Sequence, residues 1–162
     1  ASIHSEGFVN GIWFSILNQR FPTNAMAWTI SPEVRTGRDY TDLLITRNTY
    51  SPFVAHPTII LEGKRDRGST WDNVGSRLQE YAQTYVRRNG QFIYVVAARG
   101  RECRFFRYRK GDVQEMTCMA YNAATQRVSY LDGGRATTLD ISTDQAAISY
   151  FIDEIIAHPT PL

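Results

Sequence analysis

Residues 58–64, TIILEGK, constrain the fold most, because an apolar strand is followed at once by an amphipathic helix and further strands. After a polar turn over 65–69, residues 70–88 carry Trp71, Val74, Leu78, Tyr81, Ala82 and Tyr85 at i, i+3, i+4 spacing, the stripe of a helix that buries one face. Asn89-Gly90 closes it. Residues 91–98 (QFIYVVAA) and 101–110 then read as two strands separated by the turn Arg99-Gly100.

Upstream, Phe8, Val9, Ile12, Trp13, Ile16 and Leu17 recur at helical spacing over residues 5–20, with Ser5 placed to cap the start. Two strand-like stretches follow, 26–34, broken by Ser31-Pro32, and 40–46 (YTDLLIT); a loop with Pro52 and Pro57 leads into 58–64. Downstream, short strands are predicted over 116–121 and 137–141, around a turn at Asp132-Gly133-Gly134. A last helix over 143–157 buries Ala147, Ile148, Phe151, Ile152, Ile155 and Ile156, and Pro159 and Pro161 stop it. The order is α-β-β-β-α-β-β with an additional C-terminal strand and helix, which predicts an α/β sandwich around a mixed sheet.

The 162 residues, 43% hydrophobic and 21% charged, suit one soluble domain over 1–162 with a full core and no internal repeat or linker. No apolar run approaches the roughly 18 residues of a membrane span, so no membrane partner is expected. The chain begins at Ala1 without a secretory segment or initiator Met, which reads as a processed protein or a fragment of a longer one, intracellular in a compartment the sequence leaves open. Cys103 and Cys118 are spaced to face each other across a hairpin, but one pair does not make a disulfide scaffold, and both are read as free thiols.

In the strand 58–64 the alternation puts Ile60, Glu62 and Lys64 on one face, so an acid and a base project side by side. Asp42 lies in the apolar stretch Leu43-Leu44-Ile45, where a carboxylate needs a partner. If the two strands pair, two carboxylates and an ammonium converge at one sheet edge. Two carboxylates beside a backbone carbonyl suit a hard cation such as Mg²⁺ or Mn²⁺, and an adjacent lysine suits phosphodiester hydrolysis. Asp42, Glu62 and the carbonyl of Gly63 are the candidate ligands, with Lys64 as positioning and electrostatic group. Sixteen acids and two lysines give about 0.2 acid-x-Lys tripeptides by chance, so the placement between strand and helix carries the signal.

In these residues the chain resembles the PD-(D/E)XK nuclease superfamily, with its restriction-endonuclease-like α-β-β-β-α-β core, over residues 5–110. The first metal-binding acid corresponds to Asp42 in Tyr40-Thr41-Asp42, with Thr41 where a proline often stands, and the (D/E)-x-K to Glu62-Gly63-Lys64. The resemblance implies metal-dependent cleavage of nucleic acid. It also implies a metal-proximal glutamate on the first helix, for which Glu6 is the candidate, on the inward side with Val9 and Trp13; the alternative is a glutamate favoured by a helix N-terminus. A helix glutamine after the lysine, found in many relatives of archaeal Holliday-junction resolvases, points to Gln79 as a further catalytic candidate, against a plain boundary glutamine.

Arg65 and Arg67 in the turn after Lys64, and Arg104, Arg107 and Arg109 on the strand 101–110, are candidate nucleic-acid contacts. That strand interleaves them with Phe105, Phe106 and Tyr108, either as a surface that tracks phosphates and stacks bases or as a core strand with its arginines in solvent. His4, His56 and His158 lack ligand spacing and are read as unspecialised. The expectation is a Mg²⁺- or Mn²⁺-dependent nuclease acting on nucleic acid, DNA ahead of RNA, with a homodimer and a monomer both open. The rival is a catalytically inactive nucleic-acid-binding or protein-interaction module on the same fold.

Overall fold

In a computed structural model the described residues are 5–21, 27–36 and 38–159. Helix α1 (Glu6–Arg20) precedes a meander of β1 (Trp28–Thr36), β2 (Asp39–Thr49) and β3 (Val54–Lys64). Helix α2 (Trp71–Tyr85) leads to β4 (Phe92–Arg99), β5 (Glu102–Arg109), β6 (Met116–Asn122), β7 (Arg127–Leu131), β8 (Leu139–Asp140) and α3 (Gln145–Ala157). Strands β1 to β7 stand in sequence order across one sheet, and β8 joins β5 beside β6. Every pairing is antiparallel except β3 with β4. A parallel pair needs a crossover, and α2 is that crossover. The class is α/β with a mixed, open sheet.

Alternation along β3 divides the core in two. Ile59 and Leu61 face α1 and α3, packing with Val9, Trp13 and Leu17 and with Phe151, Ile152 and Ile155. Ile60 faces α2, under Val74, Leu78, Tyr81 and Ala82, together with Leu44, Val95 and Ala97. A fully buried side chain such as Leu61 contributes about 1.5–3 kcal/mol, so both faces of β3 are strongly held. Ser5 Oγ accepts from the Phe8 N–H and Thr70 Oγ1 from the Asn73 N–H, both at 3.2 Å, which sets where the two helices begin.

The hairpin of β2 and β3 is longer than the sequence suggests. β3 starts at Val54, and Pro57 lies within it opposite Thr46, at a bulge and before the pairing with β4 begins at Ile59. A proline is tolerated there because no β4 neighbour needs its missing N–H. Pro32 likewise does not break β1, the edge of the sheet, but sits in register opposite Leu43. Strand β7 is the element the sequence reading lacks: its five residues are alternately exposed and half-buried, too weak a pattern for a strand signal. His4, Pro22, Met26 and Pro161 lie outside the described residues. Among the described residues no helix is long and apolar enough to cross a membrane.

Cys103 is buried against α1 and α3, whereas Cys118 lies on the α2 side of the sheet; both are free. A bond between them is excluded by the sheet that separates them.

The two-residue turn between β4 and β5 steadies the end of β3. Gly100 has φ +57°, its N–H donates to the Lys64 carbonyl over 2.9 Å, and a Cβ there would stand 2.7 Å from Asp66 Cβ. Only glycine meets both demands without strain.

Candidate functional site

The end of β3, the start of β2 and the first turn of α1 meet at one margin of the sheet. Gly63 faces α1 so closely that a Cβ would lie 2.0 Å from Asn10 Oδ1 and 3.3 Å from Val9 Cγ1. Its lack of a side chain lets the helix descend onto the strand, and Glu6 then reaches the strand end. The Gly63 N–H donates to Asp42 Oδ2 over 2.7 Å. Lys64 Nζ stands 2.6 Å from Glu6 Oε1 and 2.7 Å from Glu62 Oε1.

One carboxylate oxygen from each of Glu6, Asp42 and Glu62 lies within 4.8 Å of the other two. Glu62 is fully buried. The Lys64 ammonium is close enough to its Oε1 for an ion pair but poorly aligned for a hydrogen bond, and Oε2 has no hydrogen-bond partner among the described residues. A buried carboxylate oxygen without a partner is costly in the protein alone and available to a ligand.

Burial raises the pKa of Glu62, and the Asp42 charge adds to it, against the lowering effect of Lys64 and Arg77. Burial likewise raises Asp42, with Glu6 adding, while the Gly63 N–H, Lys64 and Asn10 oppose it. For Lys64, burial acts downward but the hydrogen bond to Glu6 and the negative charge of Glu62 and Asp42 outweigh it, and its pKa is raised. Lys64 is therefore an ammonium at neutral pH.

Helix α2 brings Arg77, which the sequence reading did not select. Its Nε lies 3.5 Å from Glu62 Oε1 and donates to Tyr81 Oη over 2.5 Å, and its Nη2 pairs with Asp39. Burial pushes the Tyr81 hydroxyl up to about 12, so it remains a neutral partner. Asn10, one helical turn after Glu6, is the other residue missed; its amide side chain helps to lower the Asp42 pKa against burial. The cleft over these groups has a volume of about 870 Å³, with Arg65, Ser69 and Tyr40 on its rim.

Of the predicted residues, Asp42, Glu62, Gly63, Lys64 and Glu6 come together. Glu6 is exposed rather than inward-pointing, because the start of α1 overhangs the sheet margin, yet it still reaches Lys64. Gly63 contributes its N–H here. Arg65 lines the cleft; Arg67 is exposed in the adjacent turn. Gln79 lies on the other side of α2, in a second cleft that also holds Arg104. Arg107 and Arg109 project from the opposite face of β5: the Arg107 guanidinium lies over Tyr130 at 4.1 Å, and Arg109 pairs with Asp112. Phe105 and Tyr108 are buried, so the alternation on β5 is that of a core strand. His56 and His158 bond Thr49 and Glu154, away from the cleft.

In comparisons with protein-family models, curated proteins and solved structures, the chain matches none of them.

Proposed function

We propose that this chain is a Mg²⁺- or Mn²⁺-dependent nuclease with a restriction-endonuclease-like core, hydrolysing phosphodiester bonds at the Asp42, Glu62 and Lys64 cluster. The observation that carries the reading is the buried Glu62 carboxylate, whose Oε2 has no hydrogen-bond partner among the described residues and which stands with two further carboxylates and an ammonium in an open cleft. The order α1-β1-β2-β3-α2-β4 is compatible with that core. Hard oxygen donors from Asp42, Glu62 and Glu6 fit a divalent cation that takes carboxylates and keeps waters. Such an ion supplies Lewis-acid stabilisation of the scissile phosphate and lowers the pKa of an attacking water.

The chain's own groups divide the remaining work. Asp42 is held by the Gly63 N–H, so its carboxylate presents one orientation to a ligand. Lys64, protonated at neutral pH, orients the attacking water and offsets charge that develops on the phosphate oxygens. A P–O bond forms to the water oxygen and the P–O bond to the leaving group breaks. The water loses a proton to solvent and the leaving oxygen gains one. Arg77 balances the charge of Glu62 and Asp39 from outside the reacting centre.

The test is incubation of circular and linear, single- and double-stranded DNA and RNA with Mg²⁺, Mn²⁺ or EDTA, read on one gel. Cleavage in the two metal lanes and none in EDTA supports the proposal. Binding to these substrates without cleavage in any lane supports the inactive-module reading instead.

A further inference from the structure

A second cleft, of about 600 Å³, lies on the other side of α2 from the carboxylate cluster. Its floor is the apolar sheet face at Val95, and its walls include Trp71, Gln79, Arg99, Arg104, Phe106 and Arg135. Trp71 anchors the arginines: the Arg104 guanidinium carbon lies 4.3 Å from its ring centroid and that of Arg99 4.9 Å. Arg99 also pairs with Glu102 over 2.9 Å, and its Nε is buried without a partner. Arg104 bonds the Thr138 hydroxyl over 2.8 Å, and among the described residues neither Arg104 nor Arg135 has a salt-bridge partner. Burial, with Arg135 and Arg99 nearby, holds the Arg104 guanidinium below its ordinary pKa, and Glu102 offsets part of this. Cations that crowd one another in a recess gain from an anion. Asp72 is the acidic side chain in the lining.

The recess is thus cationic at its rim and apolar within, a combination suited to a group that is anionic at one end and flat and apolar at the other. We infer that this cleft holds an unpaired nucleotide of the nucleic-acid strand, its phosphate on Arg104 and Arg135 and its base in the recess beside Phe106. A stacked duplex offers phosphates but keeps its base faces covered, so it leaves the apolar interior unused. The inference rests on the nuclease reading for the identity of the strand and makes single-stranded or frayed nucleic acid the substrate class. Ser69 lines the first cleft and the adjacent Thr70 the second, so a strand crossing the start of α2 reaches both.

The experiment is fluorescence anisotropy in EDTA, where no cleavage occurs, with labelled oligo(dT), an abasic strand of equal length and a blunt hairpin duplex. Wild type is expected to bind oligo(dT) at least about tenfold more tightly than the abasic strand or the duplex. Arg104→Gln with Arg135→Gln should lower oligo(dT) affinity about tenfold or more and reduce the log-log salt slope by about 0.7, since the one single-strand phosphate that both arginines hold is lost. If the double variant does not fold, Arg135→Glu alone, at an exposed position, should weaken oligo(dT) binding in the same direction. Equal affinity for oligo(dT) and the abasic strand, preference for the duplex, or variants that bind like wild type would overturn the inference. The two readings fail separately. Oligo(dT) binding that depends on Arg104 and Arg135 in a protein that never cleaves keeps the cleft and ends the nuclease proposal; cleavage with unaltered strand binding in the variants does the reverse.

Discussion

Asp42 is held by the backbone of the neighbouring strand, its Oδ2 accepting the Gly63 N–H over 2.7 Å, rather than by the Lys64 ammonium, which goes to Glu6 and Glu62. Its charge is therefore not needed for its placement. An amide oxygen at the same position accepts the same hydrogen bond.

Asp42→Asn should behave oppositely with and without metal. Free of metal, the substitution removes repulsion with Glu62 and Glu6, so the variant is expected to melt at or above wild type. With Mn²⁺ at about 100 times its Kd, wild type gains about 2.7 kcal/mol, roughly 5–10 °C for a domain of this size, and Asp42→Asn loses most of that gain. Calorimetry of both proteins with and without MnCl₂ checks it. A wild type indifferent to Mn²⁺, with a variant that melts lower, would mark Asp42 as purely structural.

The metal effect should grow with pH. Burial raises the folded-state pKa of both Asp42 and Glu62 above the unfolded values, so each contributes stability below its unfolded pKa that is lost as pH rises through the folded one. Lys64, also raised, contributes stability fully present below its unfolded value of 10.5, so it is constant across the acid range. Metal competes with protons for the two carboxylates. The Mn²⁺-induced rise in melting temperature should be larger at about pH 7 than at about pH 5, while the advantage of Asp42→Asn over metal-free wild type widens over the same interval. An equal metal effect at both ends contradicts the site.

Gly63→Ala should loosen α1. The added methyl meets Asn10 Oδ1 at 2.0 Å and Val9 Cγ1 at 3.3 Å. The Asn10 amide can turn away, so the expected cost is about 1 kcal/mol, at the low end for overpacking. The methyl also presses on the turn of α1 that follows Glu6, so Mn²⁺ affinity should fall as well. Urea unfolding and a metal titration of the same variant measure the two effects together; an unchanged metal affinity would uncouple α1 from the site.

The sequence showed most clearly what depends on strand period. Glu62 and Lys64 share a face because they are two apart, and Asp42 stands out as a lone acid in an apolar strand, so their convergence was legible before any tertiary contact was known. Arg77 and Asn10 were not, because their roles follow from how far α2 and α1 descend onto the sheet. Gly63 sets that approach for α1, and its closeness has no local signature. Gln79 drew attention as a polar residue beside the stripe. Two residues along a helix turn a side chain roughly 200° away, so Gln79 and Arg77 line different clefts. Arg104 and Arg107, three apart on β5, separate onto opposite faces, which dissolved the single basic surface that their spacing in the chain suggested. Strand β7 escaped because neither of its faces is fully buried.

The central claim is that Lys64 acts on a phosphodiester at the carboxylate cluster. The most direct measurement is the single-turnover cleavage rate of a labelled single strand in saturating Mn²⁺ by wild type and by Lys64→Ala, with the melting temperature of each recorded with and without the metal. The account predicts that Lys64→Ala slows cleavage by about 10²- to 10³-fold and keeps the Mn²⁺-induced rise in melting temperature, since the carboxylates remain and a competing cation is gone. A Lys64→Ala protein that cuts at the wild-type rate would contradict it.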